Sequence, residues 1–214
     1  YSLIHDDLPC MDDDDMRRGQ PSSHIRFGEA NALLGGDALL TRAFGILVSA
    51  ELPPSLLVRA VDALSLYAGT EGMIGGQVLD LAGEGQKQTV SDLKKTDAGK
   101  TAALIKCACV LGCIAADASW EQIEAAENFA DNLGIAFQIQ DDILDVTSDS
   151  ATLGKPVGSD EKNEKSTYVS LLGLDGARKE EQRYTENALR SLDIFGQEAD
   201  VLRRFASGLS NRLS

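Results

Sequence analysis

Between Pro54 and Pro156 the chain runs for 101 residues without a proline. Proline fixes φ and removes a backbone donor, so its absence over so long an interval removes the strongest obstacle to continuous helix. Apolar residues in the interval recur at spacings of three and four. Leu56, Leu57, Ala60, Ala63, Leu64 and Tyr67 line one such face, and Leu104, Ala108, Leu111 and Ala115 another. β-Branched runs are brief and none alternates for long, so the pattern predicts an all-α chain.

Local chemistry sets the expected helix limits. Pro9 stops a helix over residues 1–7, since its ring cannot continue the ladder. A long helix over 29–50 ends before Pro53-Pro54, and Pro54 suits the first position of the next, which runs toward Gly69. Ser91 or Asp92 is expected to cap a short helix reaching Thr96. Gly99 opens another from Lys100 to about Ala116, and Ser119 caps one that reaches at least Val146. Gly154, Lys155, Pro156 and Gly158 predict a loop, followed by helices near 166–174, 175–192 and 196–212. There is no internal repeat or low-complexity linker, so residues 1–214 are expected to form a single domain.

Composition narrows the class. With 43% hydrophobic and 25% charged residues, collagen-like, mucin-like and grossly disordered chains are excluded. The longest small-and-apolar run, 107–116, is about half of what a bilayer span requires, so no transmembrane segment is expected. No basic N-region precedes an apolar core, and nothing points to secretion. The chain opens at Tyr1, without an initiator Met and already inside an element, as a piece of a longer protein would. A net charge of −14, from 34 acidic against 20 basic residues, argues against nucleic acid or an anionic membrane as partner. Cys10, Cys107, Cys109 and Cys113 form no CxxC pair, and the last three lie in an apolar stretch; buried thiols in a reducing cytoplasm are expected.

The acid is concentrated in two places. Six of the ten residues from Asp6 to Asp15 are Asp, and four more lie between Asp141 and Asp149. In Phe137-Gln-Ile-Gln-Asp-Asp-Ile-Leu-Asp, helical spacing puts Asp141 and Asp145 on one face, with Asp142 about 100° round. Asp6 and Asp12 would oppose one another on a continuous helix. Pro9 resolves this by ending the helix, so that Asp12 can return toward Asp6 from the following loop. Two like charges about 4 Å apart repel by roughly 4 kcal/mol at an effective dielectric near 20. Such a gathering therefore implies a cation. Carboxylates without His or Cys companions favour hard Mg²⁺ or Ca²⁺. The spacing of a calcium loop, DxDxDG with a Glu at its twelfth position, is absent. Mg²⁺ held by few carboxylates shares its shell with substrate phosphates, which makes phosphate chemistry the natural inference.

Phosphate also needs donors. Arg17 and Arg18 follow the first cluster, Lys100-Thr101 stands at the expected helix start, where free N–H groups favour an anion, and Lys155 and Lys165 follow the second cluster. No P-loop or dinucleotide fingerprint occurs.

Taken in order, Asp6-Asp7-x4-Asp12 with Arg17-Arg18-Gly19, Gly75-Gly76-Gln77-x2-Asp80, Lys100-Thr101 and Phe137-Gln138-x2-Asp141-Asp142-x2-Asp145 resemble the trans-isoprenyl diphosphate synthases. The resemblance spans the whole chain. The four-residue spacer Leu8-Pro9-Cys10-Met11 and the stretch Ser166-Thr167-Tyr168 are most similar to the short, bacterial-type farnesyl diphosphate synthases. It implies an all-α bundle with the two acidic motifs facing each other across a central cavity, and a homodimer. It further implies three Mg²⁺, with Asp6 and Asp12 holding two and Asp141 the third. Asp7, Asp142 and Asp145 would support them through nearby oxygens or water. Arg17, Lys100 and Lys155, with Lys165 in addition, would grip the allylic diphosphate, and Arg18 that of isopentenyl diphosphate. Thr101 and Gln138 would position the reacting allylic end.

The implied reaction is condensation of isopentenyl diphosphate with dimethylallyl or geranyl diphosphate to (2E,6E)-farnesyl diphosphate. Cations stabilise the departing diphosphate, and an apolar cavity shields the allylic cation until the second substrate attacks and a proton is lost. The released diphosphate is the expected proton acceptor, and His5 and His24 are expected to be structural. Tyr1, about 7.5 Å along a helix from Asp6 and beside small Ser2, would floor the cavity and favour a fifteen-carbon product. Complete members carry further N-terminal helices, with a Gly-Lys-Arg segment and a His for isopentenyl diphosphate, that residues 1–214 lack. The alternatives are a geranylgeranyl diphosphate synthase, differing at the cavity floor, and an impaired fragment that binds only the allylic diphosphate. A non-enzymatic subunit would lose motif aspartates, and a terpene cyclase would show an Asn/Ser/Glu motif in place of Asp141–Asp145.

Overall fold

A computed structural model describes residues 1–147 and 166–210. The chain divides into two compact units, Tyr1–Leu57 and Val58–Ser214. Among the described residues every element longer than two residues is helical, in keeping with the all-α pattern read from the proline-free interval.

In the first unit, α1 (Ser2–Asp6) stops at Asp7, two residues before Pro9. The chain then turns back, with the main-chain N–H groups of Leu8 and Met11 donating to the His5 and Leu8 carbonyls. A two-residue hairpin follows, β1 (Met16–Arg17) against β2 (Gln20–Pro21). Its turn residues, Arg18 and Gly19, both have positive φ, 52° and 72°. That is the backbone twist a two-residue hairpin favours, and glycine makes the second position inexpensive. After α2 (Ser23–Phe27) comes α3 (Glu29–Val48). His5 Nε2 lies 3.0 Å from the Leu33 carbonyl and joins α1 to α3, while His24 Nδ1 lies 3.1 Å from Ser22 Oγ.

The helix α4 (Pro54–Ala68) begins at the predicted Pro54 and carries most of its length in the second unit. That unit continues with α5 (Met73–Gly83), α6 (Val90–Asp97), a π-helical turn (Ala98–Ala102), α7 (Ala103–Ala115), α8 (Trp120–Thr147), α9 (Tyr168–Ser191), a 3₁₀ segment (Asp193–Ala199) and α10 (Asp200–Ser210). Within α9 the helix breaks at Gly173, with φ 71°, next to the expected break at 174. The predicted loop around Lys155 lies outside the described residues.

α8 is the spine of this unit and packs against α7 and α9. Its Ile135, Ile139 and Ile143 join Leu93, Tyr168 and Ala177 in one apolar cluster; its Phe129 and Leu133 join Ala188, Leu192, Ala199 and Ala206 in another. Polar ties flank the spine: Tyr67 donates to Glu127, and Lys106 pairs with Asp131 at 2.6 Å. The four cysteines are free, and burial pushes the Cys107 and Cys109 thiols up to about 11.

Two expectations need correction. The cap of α6 is Thr89, whose hydroxyl accepts from Asp92 N while the Asp92 carboxylate accepts from Thr89 N at 3.0 Å. Asp92 is thus the third residue of a capping box and not the cap itself. Gly99 likewise opens no helix, because the chain is helical without interruption from Val90 to Ala115. Its place is explained by close packing: a Cβ on neighbouring Gly76 would strike the main-chain nitrogen of Lys100, so α5 and the π turn meet backbone to backbone. By length and composition, this stretch and Glu29–Val48 could each reach across a bilayer core, which counting uninterrupted apolar runs does not register. The Val90–Ala115 stretch carries Asp97 and Lys100 and packs on α8.

Candidate active site

The first acidic cluster is built by the end of α1. Because the helix stops there, the main-chain N–H of Asp12 comes back to donate to the Asp6 carbonyl at 2.9 Å. Asp6 and Asp12, six apart in sequence, are thereby held side by side at the backbone. Tyr1 and Ser2 lie at the other end of α1, both half-buried, with the Tyr1 ring edge-on to His5.

Asp7 approaches the same guanidinium nitrogen as Asp6, that of Arg17. Its side chain is buried, with the residue 2% exposed, and its Oδ1 accepts from Arg17 Nε at 2.8 Å and from Arg17 Nη2. Nη2 also lies 3.7 Å from carboxylate oxygens of Asp6 and Asp14. These carboxylates raise the Arg17 pKa, the Asp7 hydrogen bond foremost, so the guanidinium is a permanent cation within the acidic cluster. Arg18, at the hairpin turn, is exposed.

In the second unit, Lys100 and Thr101 sit in the π turn. Such turns interrupt the i→i−4 ladder and are frequent at functional sites. Lys100 is therefore not at a helix start with free N–H groups, as its spacing from Gly99 implied, and its ammonium group lies 2.6 Å from Asp80 Oδ2. From Thr101 a line of hydrogen bonds runs across to α8. Thr101 Oγ1 donates to Gln138 Oε1 at 3.4 Å, and Gln138 Nε2 to Asp142 Oδ1 at 3.5 Å. Asp142 Oδ2 accepts from the main-chain N–H of Tyr168 at 2.8 Å, and the Tyr168 phenol donates to Asp97 Oδ2 at 2.9 Å. Asp97 directly precedes the π turn. Thr101, Gln138, Asp142, Tyr168 and Asp97 thus form a circuit that leaves α6–α7 and returns to it.

Burial distinguishes the three aspartates on α8. Asp142 and Asp145 are buried, while Asp141 is half-exposed. Asp97 is buried as well, and desolvation, with the charge of Asp80 behind it, pushes its carboxyl up to about 7 against the opposing pull of the Tyr168 bond. The Tyr168 phenol is also raised, by desolvation and then by Asp97, so it remains a donor.

Lys155 and Lys165 lie outside the described residues. The sequence reading assigned no role to Asp80, Asp97 or Tyr168. Asp80 is four residues past Gly76, and only the structure shows its ion pair with Lys100. Among the described residues no three His, Cys, Asp or Glu side chains converge on one point. The available donors are hard carboxylate oxygens in small number. That set fits Mg²⁺, which keeps several positions for water and substrate phosphate oxygens.

The polyprenyl synthetase family model matches residues 1–203. Over 205 residues the chain is 47% identical to the farnesyl diphosphate synthase of Bacillus subtilis, covering 94% of this chain and 69% of that relative. An apo crystal structure of an FPP/GFPP synthase from Zymomonas mobilis superposes with a TM-score of 0.87 at 37% identity, over 98% of this chain and 71% of that one. The geranyltransferase of Helicobacter pylori, crystallised with magnesium and isoprenyl diphosphate, gives 0.85 at 36% identity over 99% of this chain and 69% of its own.

Proposed function

Because the chain belongs to the polyprenyl synthetase family, we propose that it is a trans-prenyltransferase that joins isopentenyl diphosphate to dimethylallyl or geranyl diphosphate and yields (2E,6E)-farnesyl diphosphate. The observation that carries this reading is the pairing of a basic side chain with a carboxylate in each unit: Arg17 on Asp7, and Lys100 on Asp80. Both side chains are held in place by a protein carboxylate, and their N–H groups can also donate to a diphosphate oxygen. Similarity to a farnesyl diphosphate synthase at 47% identity supports the product class.

In this reading Asp6 and Asp12 hold two of three Mg²⁺ and Asp141 holds the third, with Asp7, Asp142 and Asp145 orienting their surroundings. What bound Mg²⁺ supplies is neutralisation of the charge that gathers on the leaving diphosphate as its C–O bond breaks. Arg17 and Lys100, with Lys155 and Lys165, bind that same diphosphate, and their charge is worth most where water is excluded. Thr101 and Gln138 present oxygen atoms to the allylic carbons and favour the delocalised cation. Arg18, exposed at the hairpin turn, binds the diphosphate of isopentenyl diphosphate. The π bond of that substrate forms the new C–C bond, and the proton then lost passes to the released diphosphate. A homodimer of single-domain subunits in the cytoplasm completes the proposal.

The test is a condensation assay with Mg²⁺, labelled isopentenyl diphosphate and geranyl diphosphate, read by product chain length. Farnesyl product that disappears in Asp6→Ala and Asp141→Ala supports both the reaction and the ligand assignment. Full activity in either variant removes that carboxylate from the metal site.

A further inference from the structure

Ser166-Thr167-Tyr168 contributes to the resemblance yet has no task in the proposed reaction. Tyr168 is the first residue of α9, and Thr167 caps it: the Thr167 hydroxyl accepts from Ser170 N at 3.1 Å, and Ser170 Oγ accepts from Thr167 N at 2.9 Å. At the first helical position the main-chain N–H has no carbonyl one turn earlier to receive it. Here it is given to Asp142. The Tyr168 ring is 1% exposed, set among Leu93, Ile135, Ile139, Ile143 and Ala177. Its hydroxyl emerges from that apolar cluster onto Asp97.

One buried residue therefore grips two buried carboxylates. One of them, Asp142, is the neighbour of Asp141 in the acidic turn of α8. The other ends α6, directly before the turn that carries Lys100 and Thr101. The geometry points to Tyr168 as a positioning residue for the condensation: its phenol, anchored on Asp97, pins the first turn of α9, and the pinned N–H keeps Asp142 in one orientation beside Asp141. The bond to the phenol is what prevents the start of α9 from rotating its N–H away from Asp142. Partners standing behind metal ligands in this manner affect metal affinity by about ten- to a hundredfold when removed. This inference rests on reading the α8 aspartates as part of a Mg²⁺–diphosphate site.

The experiment is a calorimetric titration of Mg²⁺ in the presence of inorganic diphosphate, run beside condensation kinetics as a function of Mg²⁺. It compares the protein with Tyr168→Phe, Asp97→Ala, Asp97→Asn and the double variant Tyr168→Phe/Asp97→Ala. Tyr168→Phe is expected to raise the half-saturating Mg²⁺ about tenfold. Asp97→Ala should match it, and the double variant should be no worse than either, since all three remove one bond. Asp97→Asn, whose amide oxygen can still accept the phenol proton, should lose less than Asp97→Ala. Unaltered Mg²⁺ dependence in Tyr168→Phe, with only a lower melting temperature, would overturn the inference and leave the hydroxyl a core bond. Losses that add in the double variant would overturn it too. If the parent protein binds Mg²⁺ with diphosphate but forms no product, the reaction assignment fails while the binding arm still decides the role of Tyr168. If it does not bind them, both fail.

Discussion

The Arg17 guanidinium donates twice to a single oxygen, Oδ1 of Asp7, whose side chain is 4% exposed. Resemblance assigned Asp7 to the support of metal and Arg17 to substrate, yet the two are one unit. Asp7→Ala should therefore act through Arg17. Loss of a charged hydrogen-bond pair of this kind is expected to cost about 2 kcal/mol in thermal unfolding. The KM for geranyl diphosphate should rise more than the half-saturating Mg²⁺. The reverse pattern in steady-state kinetics would return Asp7 to the metal.

Asp97 makes the second unit sensitive to pH. Its folded-state pKa of about 7 lies above the ordinary carboxyl value near 3.9, so the folded state holds this proton more tightly than the unfolded one. The stabilisation due to protonation is full below pH ~3.9 and is lost as pH rises through about 7. Asp97→Asn abolishes that dependence. The difference in melting temperature between Asp97→Asn and the parent should move in favour of the variant from pH 4.5 to pH 8; a difference that stays flat would mean Asp97 is ionised throughout.

Gly76 is the position where α5 lies backbone to backbone against the π turn. In Gly76→Ala the added methyl meets Lys100 N, and either α5 or the turn has to move. A stability loss of about 1–3 kcal/mol is expected. A fall in affinity for the allylic diphosphate should accompany it, because Lys100 shifts relative to Asp80. A variant that melts lower but keeps the parent KM would show that α5 yields and the turn does not.

Tyr1 stands at the far end of α1 from Asp6. If its ring floors the space for the growing chain, Tyr1→Ala should lengthen the product by at least one five-carbon unit, read by chromatography of the dephosphorylated alcohols. Unchanged farnesyl product would refute the floor.

Much of this is legible in the sequence. The proline-free stretch gave helices because helix is the one regular structure whose backbone bonds close within a few residues, so spacing alone reports it. The return of Asp12 to Asp6 was legible for the same reason, since Pro9 is a local obstacle with a local consequence. Lys100 was misplaced because Gly99 has two uses, helix breaking and close packing, and only the distant Gly76 decides between them. Tyr168 escaped notice because its partners, Asp97 and Asp142, are 71 and 26 residues away. No periodicity links them; only the way α9 lies on α8 brings an N–H and a carboxylate together.

The hairpin at Arg18-Gly19 carries a consequence for mutability. Two adjacent arginines are sent to different fates, one into the strand pair and onto Asp7, the other out at the bend. What separates them is their place in the hairpin, which Gly19 fixes, and not a difference in their own chemistry. Removing one aspartate from Asp12–Asp15 would leave the acidity of the segment nearly intact, yet it would shorten the run from α1 to the hairpin by about 3.5 Å and draw Arg17 away from Asp7. The length of this segment is therefore under tighter constraint than its composition.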